Sequence, residues 1–298
     1  MAREVGFLVA AKQSDWGLYI GWFKAKLTTP VHITFLPPGG ANGDPGEISD
    51  AAKYLAGHCE VIVTSGSQAA LACKAATQTT PFVFASVGDP AITGLSPQPG
   101  GNFTGCSNQQ VKLVPQRVDE MLAHQFQGPF AVVGNYNIEP IKSAMMSAVS
   151  VLIAKGMQAQ LAPITPGDNI DAFISGLKDQ GIKSLYVCSD MFITGVSTEL
   201  NAKAHAGPAA SRLQTMFEFG EHVTQHGGDL SYGINFKDLF EKTAEYVDSI
   251  LSGTKAGDLP IFEPPASDRE LVEKKKSRGH PTKKSRRSQT KKKSRRGR

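Results

Sequence analysis

The chain has 298 residues, 40% of them hydrophobic and 20% charged, with 30 Gly and 18 Pro. That composition is globular and rich in turns, and the length suffices for two lobes with a core each. No apolar run approaches the ~20 residues of a membrane-spanning helix, which excludes an integral membrane channel of helices.

The net charge of +5 conceals a split. Residues 274–298 carry 14 of the 32 Lys and Arg and no acid, so 18 basic residues face 27 acidic ones in the rest of the chain. An acidic body therefore carries a basic tail, and the overall charge says nothing about the body's partners. The four cysteines (Cys59, Cys73, Cys106 and Cys188) show no Cys-x-x-Cys spacing and no histidine-rich neighbourhood. They read as buried free thiols, with no cofactor or metal implied.

In chain order, Arg3 and the apolar stretch Val5–Ala11 have the outline of an export signal. Seven apolar residues followed at once by Lys12 are better read as a buried first strand, leaving no visible signal. Further β-branched or apolar runs follow at Val31–Leu36, Val61–Thr64 and Phe82–Ala85, then at Phe130–Gly134, Gln158–Ile164, Ser184–Cys188 and Gln214–Phe217. Continuous runs of this kind fit strands covered on both faces. Helical stretches separate them, among them Asp50–Ala56, Gln68–Ala76, Ile138–Lys155 and Ile170–Asp179. The alternation predicts an α/β protein with parallel sheets, in two blocks divided by the Gly/Pro/Ser-rich stretch Gly94–Thr104.

After a short run at Leu230–Gly233, the residues Phe236, Leu239, Phe240, Thr243, Val247, Ile250 and Leu251 form one helical stripe. Asn235 is placed to cap that helix and Gly253 to end it. A helix so late suggests a return from the second lobe to the first. Beyond Glu273 no apolar residue remains to bury, so the basic tail is expected to be disordered.

Ligands of parallel sheets bind at the carboxyl ends of strands. Four such places stand out. Ser65, Gly66 and Ser67 follow a strand and open a helix, where free backbone N–H groups attract a carboxylate or phosphate; a plain serine cap is the other reading. Ser86, Gly88 and Asp89 follow the next strand, although Asp before Pro is also a common turn residue. Asp190, after SLYVC, could hold an ammonium group or cap the helix behind it. Glu218 and Glu221 lie among Phe217 and Phe219, aromatics that spacing alone assigns to the core. Catalysis is poorly supported: no histidine falls in His-Glu-x-x-His and no serine in Gly-x-Ser-x-Gly. His222 and His226 share a helical face without a third ligand nearby, which favours a solvated face over zinc.

Four stretches, VIVTSGSQAALACKAATQTTPFVFASVGDP, PGGNFTG, GGDLSYG and DLFEKTAEYVDSILSGTKAGDLPIFEP, together resemble the substrate-binding proteins of ABC transporters, in the group with a type I periplasmic-binding fold that includes tryptophan and tyrosine binders. The resemblance implies two Rossmann-like lobes joined by crossover hinge segments near Gly105–Asn108, Tyr232–Gly233 and Phe262–Pro265. Lobe 1 would span 1–106 and 234–265, lobe 2 107–233, and 266–298 a disordered extension. It also implies a solute binder without enzymatic activity, held outside the cytoplasm and working with an ABC permease. Ser65–Ser67 and Ser86–Asp89 would lie on the ligand's carboxylate side, with Asp190 and Glu221 facing them from the second lobe. The chain departs from the family in having Ser267–Val272 and the basic tail where a further strand and helix are expected. The alternatives are an enzyme on the same scaffold and a ligand-sensing protein whose tail makes non-specific nucleic-acid contact.

Overall fold

The computed structural model describes residues 3–10, 16–41, 43–96 and 101–274. The basic run expected to be disordered lies outside the described residues from 275 onward.

The first sheet holds β1 (Arg3–Leu8), β2 (Val31–Leu36), β3 (Val61–Thr64), β4 (Phe82–Val87) and β5 (Phe103–Ser107). Its order is β2-β1-β3-β4-β5, parallel throughout. The second holds β6 (Phe130–Gly134), β7 (Ala159–Pro163), β8 (Ser184–Val187), β9 (Gln214–Phe217), β10 (Leu230–Ile234) and β11 (Arg269–Glu273). Its order is β11-β10-β9-β8-β6-β7, with β11 antiparallel to its neighbour. The helices are α1 (Gly17–Lys26), α2 (Pro45–His58), α3 (Ser67–Ala76), α4 (Val114–Ala123), α5 (Glu139–Ala154), α6 (Ile170–Asp179), α7 (Met191–His205), α8 (Gly220–Thr224) and α9 (Phe236–Leu251).

The continuous apolar strands serve two cores each, because successive side chains point to opposite faces. In β1, Val5 and Phe7 pack with Phe23 of α1 and Phe240 of α9, while Leu8 packs with Leu55 of α2 on the other face. Gly6 lets α2 come close: a Cβ there would sit 2.8 Å from Leu55 Cδ2. The second lobe repeats the arrangement. Phe130 and Val132 of β6 meet α4 and α5, and Ala131 and Val133 meet α6 and α7.

All eight strand runs expected from sequence form, and the late helix lies where its stripe placed it. The Asn235 side chain accepts from Lys237 N at 2.8 Å, and the buried stripe packs onto the first lobe. Two strands escaped the sequence reading. β5 begins in the stretch taken as a divider and runs into the segment expected to cross between the lobes, and its Gly105 allows a close approach, since a Cβ would fall 2.2 Å from Phe84 O. The other is β11, within the segment 266–298 assigned to a disordered extension. Arg269–Glu273 instead adds an edge strand to the second sheet through β10, because an exposed strand edge offers backbone groups that must find partners. The basic run begins at an anchored residue: Lys274 N donates to Asp229 O at 2.9 Å, and its ammonium group donates to Gly227 O at 2.9 Å.

The position of the anchor gives a first expected result. Ending the chain after Lys274 should leave the melting temperature within about 1 °C, whereas ending it after Pro265 removes β11 and should cost several kcal/mol, a fall of roughly 5–10 °C in a thermal melt. Equal losses from both truncations would contradict this placement of the fold's end.

Three segments pass between the lobes, and two of them run side by side. Phe262 N donates to Gly105 O and Ser107 N to Phe262 O, both at 2.9 Å. Gln109 Nε2 reaches Pro264 O at 2.9 Å. The opposite passage runs from β10 into α9.

Candidate functional site

Between the lobes, at the carboxyl ends of both sheets, lies a cavity of about 340 Å³, within the range of small-molecule sites. Its first-lobe wall comes from the ends of β3 and β4. Gly66, at φ +80°, turns the chain from β3 into α3, and no side chain caps that helix. The N–H groups of its first turn therefore have no intrahelical acceptor and present partial positive charge to the cavity. Ser65 Oγ is buried without a hydrogen-bond partner. Ser86 Oγ accepts from Asn108 Nδ2 at 3.0 Å, leaving Asn108 Oδ1 buried and unpartnered.

The second-lobe wall comes from the ends of β6 and β8. Asp190 both caps α7 and faces the cavity, so the two sequence readings of this residue are compatible. Its Oδ1 accepts from Ile193 N at 2.7 Å, while Oδ2 is buried without a partner. Burial pushes the carboxyl up to about 6, against the pull of the Ile193 N–H and the nearby Asn135 side chain. Ser189 Oγ beside it is also unpartnered. Buried polar atoms are nearly always hydrogen-bonded in folded proteins. Four unpartnered ones around a single cavity mark the groups available to a ligand. The starts of α3 and α7 face each other, and a Cβ on Gly66 would stand 3.9 Å from Met191 Cγ.

Apolar side chains complete the walls: Ile138, Ile141, Met191, Phe192, Phe219 and Phe236. Among the described lining residues, Asp190 alone is ionisable. Polar groups at two poles and apolar sides between them suit a small molecule with a flat or branched apolar body.

Of the residues singled out from sequence, Ser65, Gly66, Ser67, Ser86, Gly88 and Asp190 line the cavity. Two do not. The Asp89 side chain is held in its own turn, accepting from Ala91 N at 3.0 Å and Ile92 N at 3.2 Å, as Asp before Pro commonly does. Glu221 lies in the first turn of α8, on the side of β11, where burial and the nearby Glu270 push its carboxyl up. Phe219, read as core, lines the cavity and meets the Phe236 ring at 4.3 Å between centroids. His222 is not on a solvated face: it is buried and stacks on Phe217 at 4.8 Å, and burial lowers its pKa to about 3.

Asn108, Gln110 and Asn135 also line the cavity and were missed. Nothing in their local sequence signals it, since the topology alone brings them to the strand ends. Gln110 Nε2 donates to Ser189 O at 2.9 Å and to Glu218 Oε2 at 2.7 Å. Glu218 has no accessible surface and pairs at 3.3 Å with Arg117, which is equally buried. Burial pushes the Glu218 carboxyl up to about 7, even with Arg117 beside it. Among the described residues no group of His, Cys, Asp and Glu is arranged to hold a metal, the four cysteines are free, and no helix is long and apolar enough to cross a membrane.

Two α/β lobes and a cavity at the carboxyl ends of both sheets are the arrangement of the periplasmic-binding fold. The chain belongs to the ABC transporter substrate-binding protein family, whose model matches residues 38–277. Its fold is similar to a conserved domain protein from Vibrio cholerae, at TM-score 0.76 and 21% identity over 91% of each chain. It is also similar to the ABC domain from Streptococcus pneumoniae in complex with L-Trp, at TM-score 0.73 and 18% identity over 89% of this chain and 90% of that one. A solute-binding protein from Rhodopseudomonas palustris in complex with 3,4-dihydroxybenzoic acid matches at TM-score 0.64 and 14% identity, over 86% and 83% of the two chains. Among curated proteins no significant match by sequence is found. The family is one of substrate-binding proteins rather than enzymes; the chain is a solute-binding component of an ABC transporter.

Proposed function

We propose that this chain captures an amino acid with an apolar or aromatic body outside the cytoplasm and delivers it to an ABC permease for import. The observation that carries this reading is the polarity of the cleft. An uncapped helix start with Ser65 faces it from one lobe, and the carboxylate of Asp190 faces it from the other. The ligand's carboxylate would take the α3 N-terminus and its ammonium group Asp190, with the side chain among Ile141, Phe192, Phe219 and Phe236. The L-Trp complex of the Streptococcus pneumoniae neighbour is consistent with this ligand class. In this reading lobe 1 comprises 1–106 and 234–265 and lobe 2 comprises 107–233, with β11 completing the second sheet.

A ligand that touches both lobes shifts the population toward the closed form. Mass spectrometry of whatever is released on denaturation should identify an amino acid. Titrating that compound into ligand-free protein should reduce the radius of gyration in small-angle scattering. A co-purified molecule lacking an amino group, or an unchanged scattering profile at saturation, would count against the reading.

A further inference from the structure

We propose that the buried Arg117–Glu218 pair is a positioning device that locks the cleft-lining Ser189 and Gln110 to the second crossover, so that the ligand-facing loop of lobe 2 and the hinge move as one rigid body. The proposal rests on the cleft being the ligand site, but not on the identity of the ligand.

Glu218, just past the end of β9, is used on both oxygens. Oε2 accepts from Ser189 N at 2.8 Å and from Gln110 Nε2 at 2.7 Å; Oε1 meets Arg117 Nη1 at 3.3 Å. Arg117, reaching in from α4, donates through Nε to Tyr232 O at 2.8 Å and through Nη1 to Gln110 O at 2.6 Å. One ion pair thus joins the segment after β5 (Gln110), the strand β10 that leads into the second crossover (Tyr232) and the loop that carries Ser189 and Asp190. Gln110 is also tied to the first lobe, since its N–H donates to Gly88 O at 2.9 Å. Gly88 has no Cβ to obstruct it, and one built there would meet Gln110 Oε1 at 2.5 Å.

Stability does not account for this arrangement. Taking both charges out of water offsets most of their attraction, and apolar residues of similar size are often as stable or more so. What the charged pair adds is direction: several hydrogen bonds that fix Ser189 and Gln110 relative to both passages. Two apolar side chains would fill the same space and fix neither.

The discriminating variant is therefore the double substitution Arg117→Met with Glu218→Leu, since Arg117→Met alone leaves a bare buried carboxylate. Spin labels at the exposed positions Leu18 on α1 and Ile153 on α5, in a Cys59→Ser background, report the distance between the lobes. The wild type should give a narrow distribution without ligand. The double variant should fold but melt several degrees lower, because Ser189 N–H, Gln110 O and Tyr232 O lose their partners, and it should give a distribution about twice as wide as the hinge loosens, with faster hydrogen exchange at Ser189 N–H. If only about one molecule in ten then holds the competent geometry, binding of L-tryptophan weakens about tenfold. An unchanged distribution in a folded double variant would overturn the proposal. A double variant that fails to fold would also overturn it, because the pair would then be a requirement of stability. A wild type that binds no L-tryptophan bears on the ligand reading alone, and the distance measurement still decides this one.

Discussion

Asp190→Asn is expected to weaken ligand binding by roughly 30-fold or more, the equivalent of about 2–5 kcal/mol for a buried charge deprived of its partner. The substitution is nearly silent for folding. Asn is as good a helix cap as Asp, so the hydrogen bond from Ile193 N survives and α7 keeps its start. Only the charge on the otherwise unpartnered Oδ2 is lost. The pH dependence follows with a definite sign. Burial raises the folded-state pKa to about 6, so the ionised form carries a desolvation cost that lowers stability as pH rises through that value. A ligand's ammonium group offsets this cost. Affinity should accordingly be flat above pH 6 and fall by about one log unit per pH unit below it, while Asp190→Asn shows no such slope. Isothermal titration of both forms from pH 4.5 to 8 makes the comparison. Equal affinities at pH 7.5 would remove Asp190 from the site.

Gly233→Ala should destabilise the fold by about 4 kcal/mol or more, lowering the melting temperature by roughly 10 °C. A methyl group there would stand 1.8 Å from Glu218 O and 3.0 Å from its carbonyl carbon. Both are backbone atoms, so no side chain can rotate away; β10 would have to leave the loop after β9. Gly176 in α6 provides the contrast, because a Cβ there meets nothing within 4 Å. Gly176→Ala should stabilise by about 0.5–1 kcal/mol, since alanine loses less backbone entropy in a helix. Denaturant titration of the two variants measures the difference. A tolerated Gly233→Ala would show that β10 is not packed against the loop after β9 as described.

The strands were readable because residues covered on both faces leave unbroken apolar runs, and Val61–Thr64 or Phe130–Gly134 has little alternative use in a folded chain. The strand-end loops were readable for a related reason: cavities of parallel sheets form there, so the place of Ser65–Ser67 and Asp190 on the cavity wall was legible from their position in the chain. That of Asn108, Gln110 and Asn135 was not, because what brings them to the cavity is the passage of the chain between lobes, and passage has no local signature. Asp89 and Glu221 were expected beside Ser65–Ser67 and Asp190 and do not line the cavity. They lie near strand ends, but one turns back on its own loop and the other faces away along α8. Arg117 gave no sign of its burial, since a charged residue in an amphipathic helix ordinarily points to water. Its partner is 101 positions away.

The placement of α9 has a consequence for how the chain comes to be folded during synthesis. Lobe 2 is nearly continuous in sequence, and five of its six strands have emerged by residue 234. Lobe 1 begins first yet finishes later, because one face of its sheet is closed by Phe236, Leu239, Phe240 and Val247. Until those residues leave the ribosome, Val5, Phe7, Val63 and Val83 have only α1, through Trp16, Ile20 and Phe23, to cover them on that side. The half made earliest waits longest with part of its apolar surface open to water.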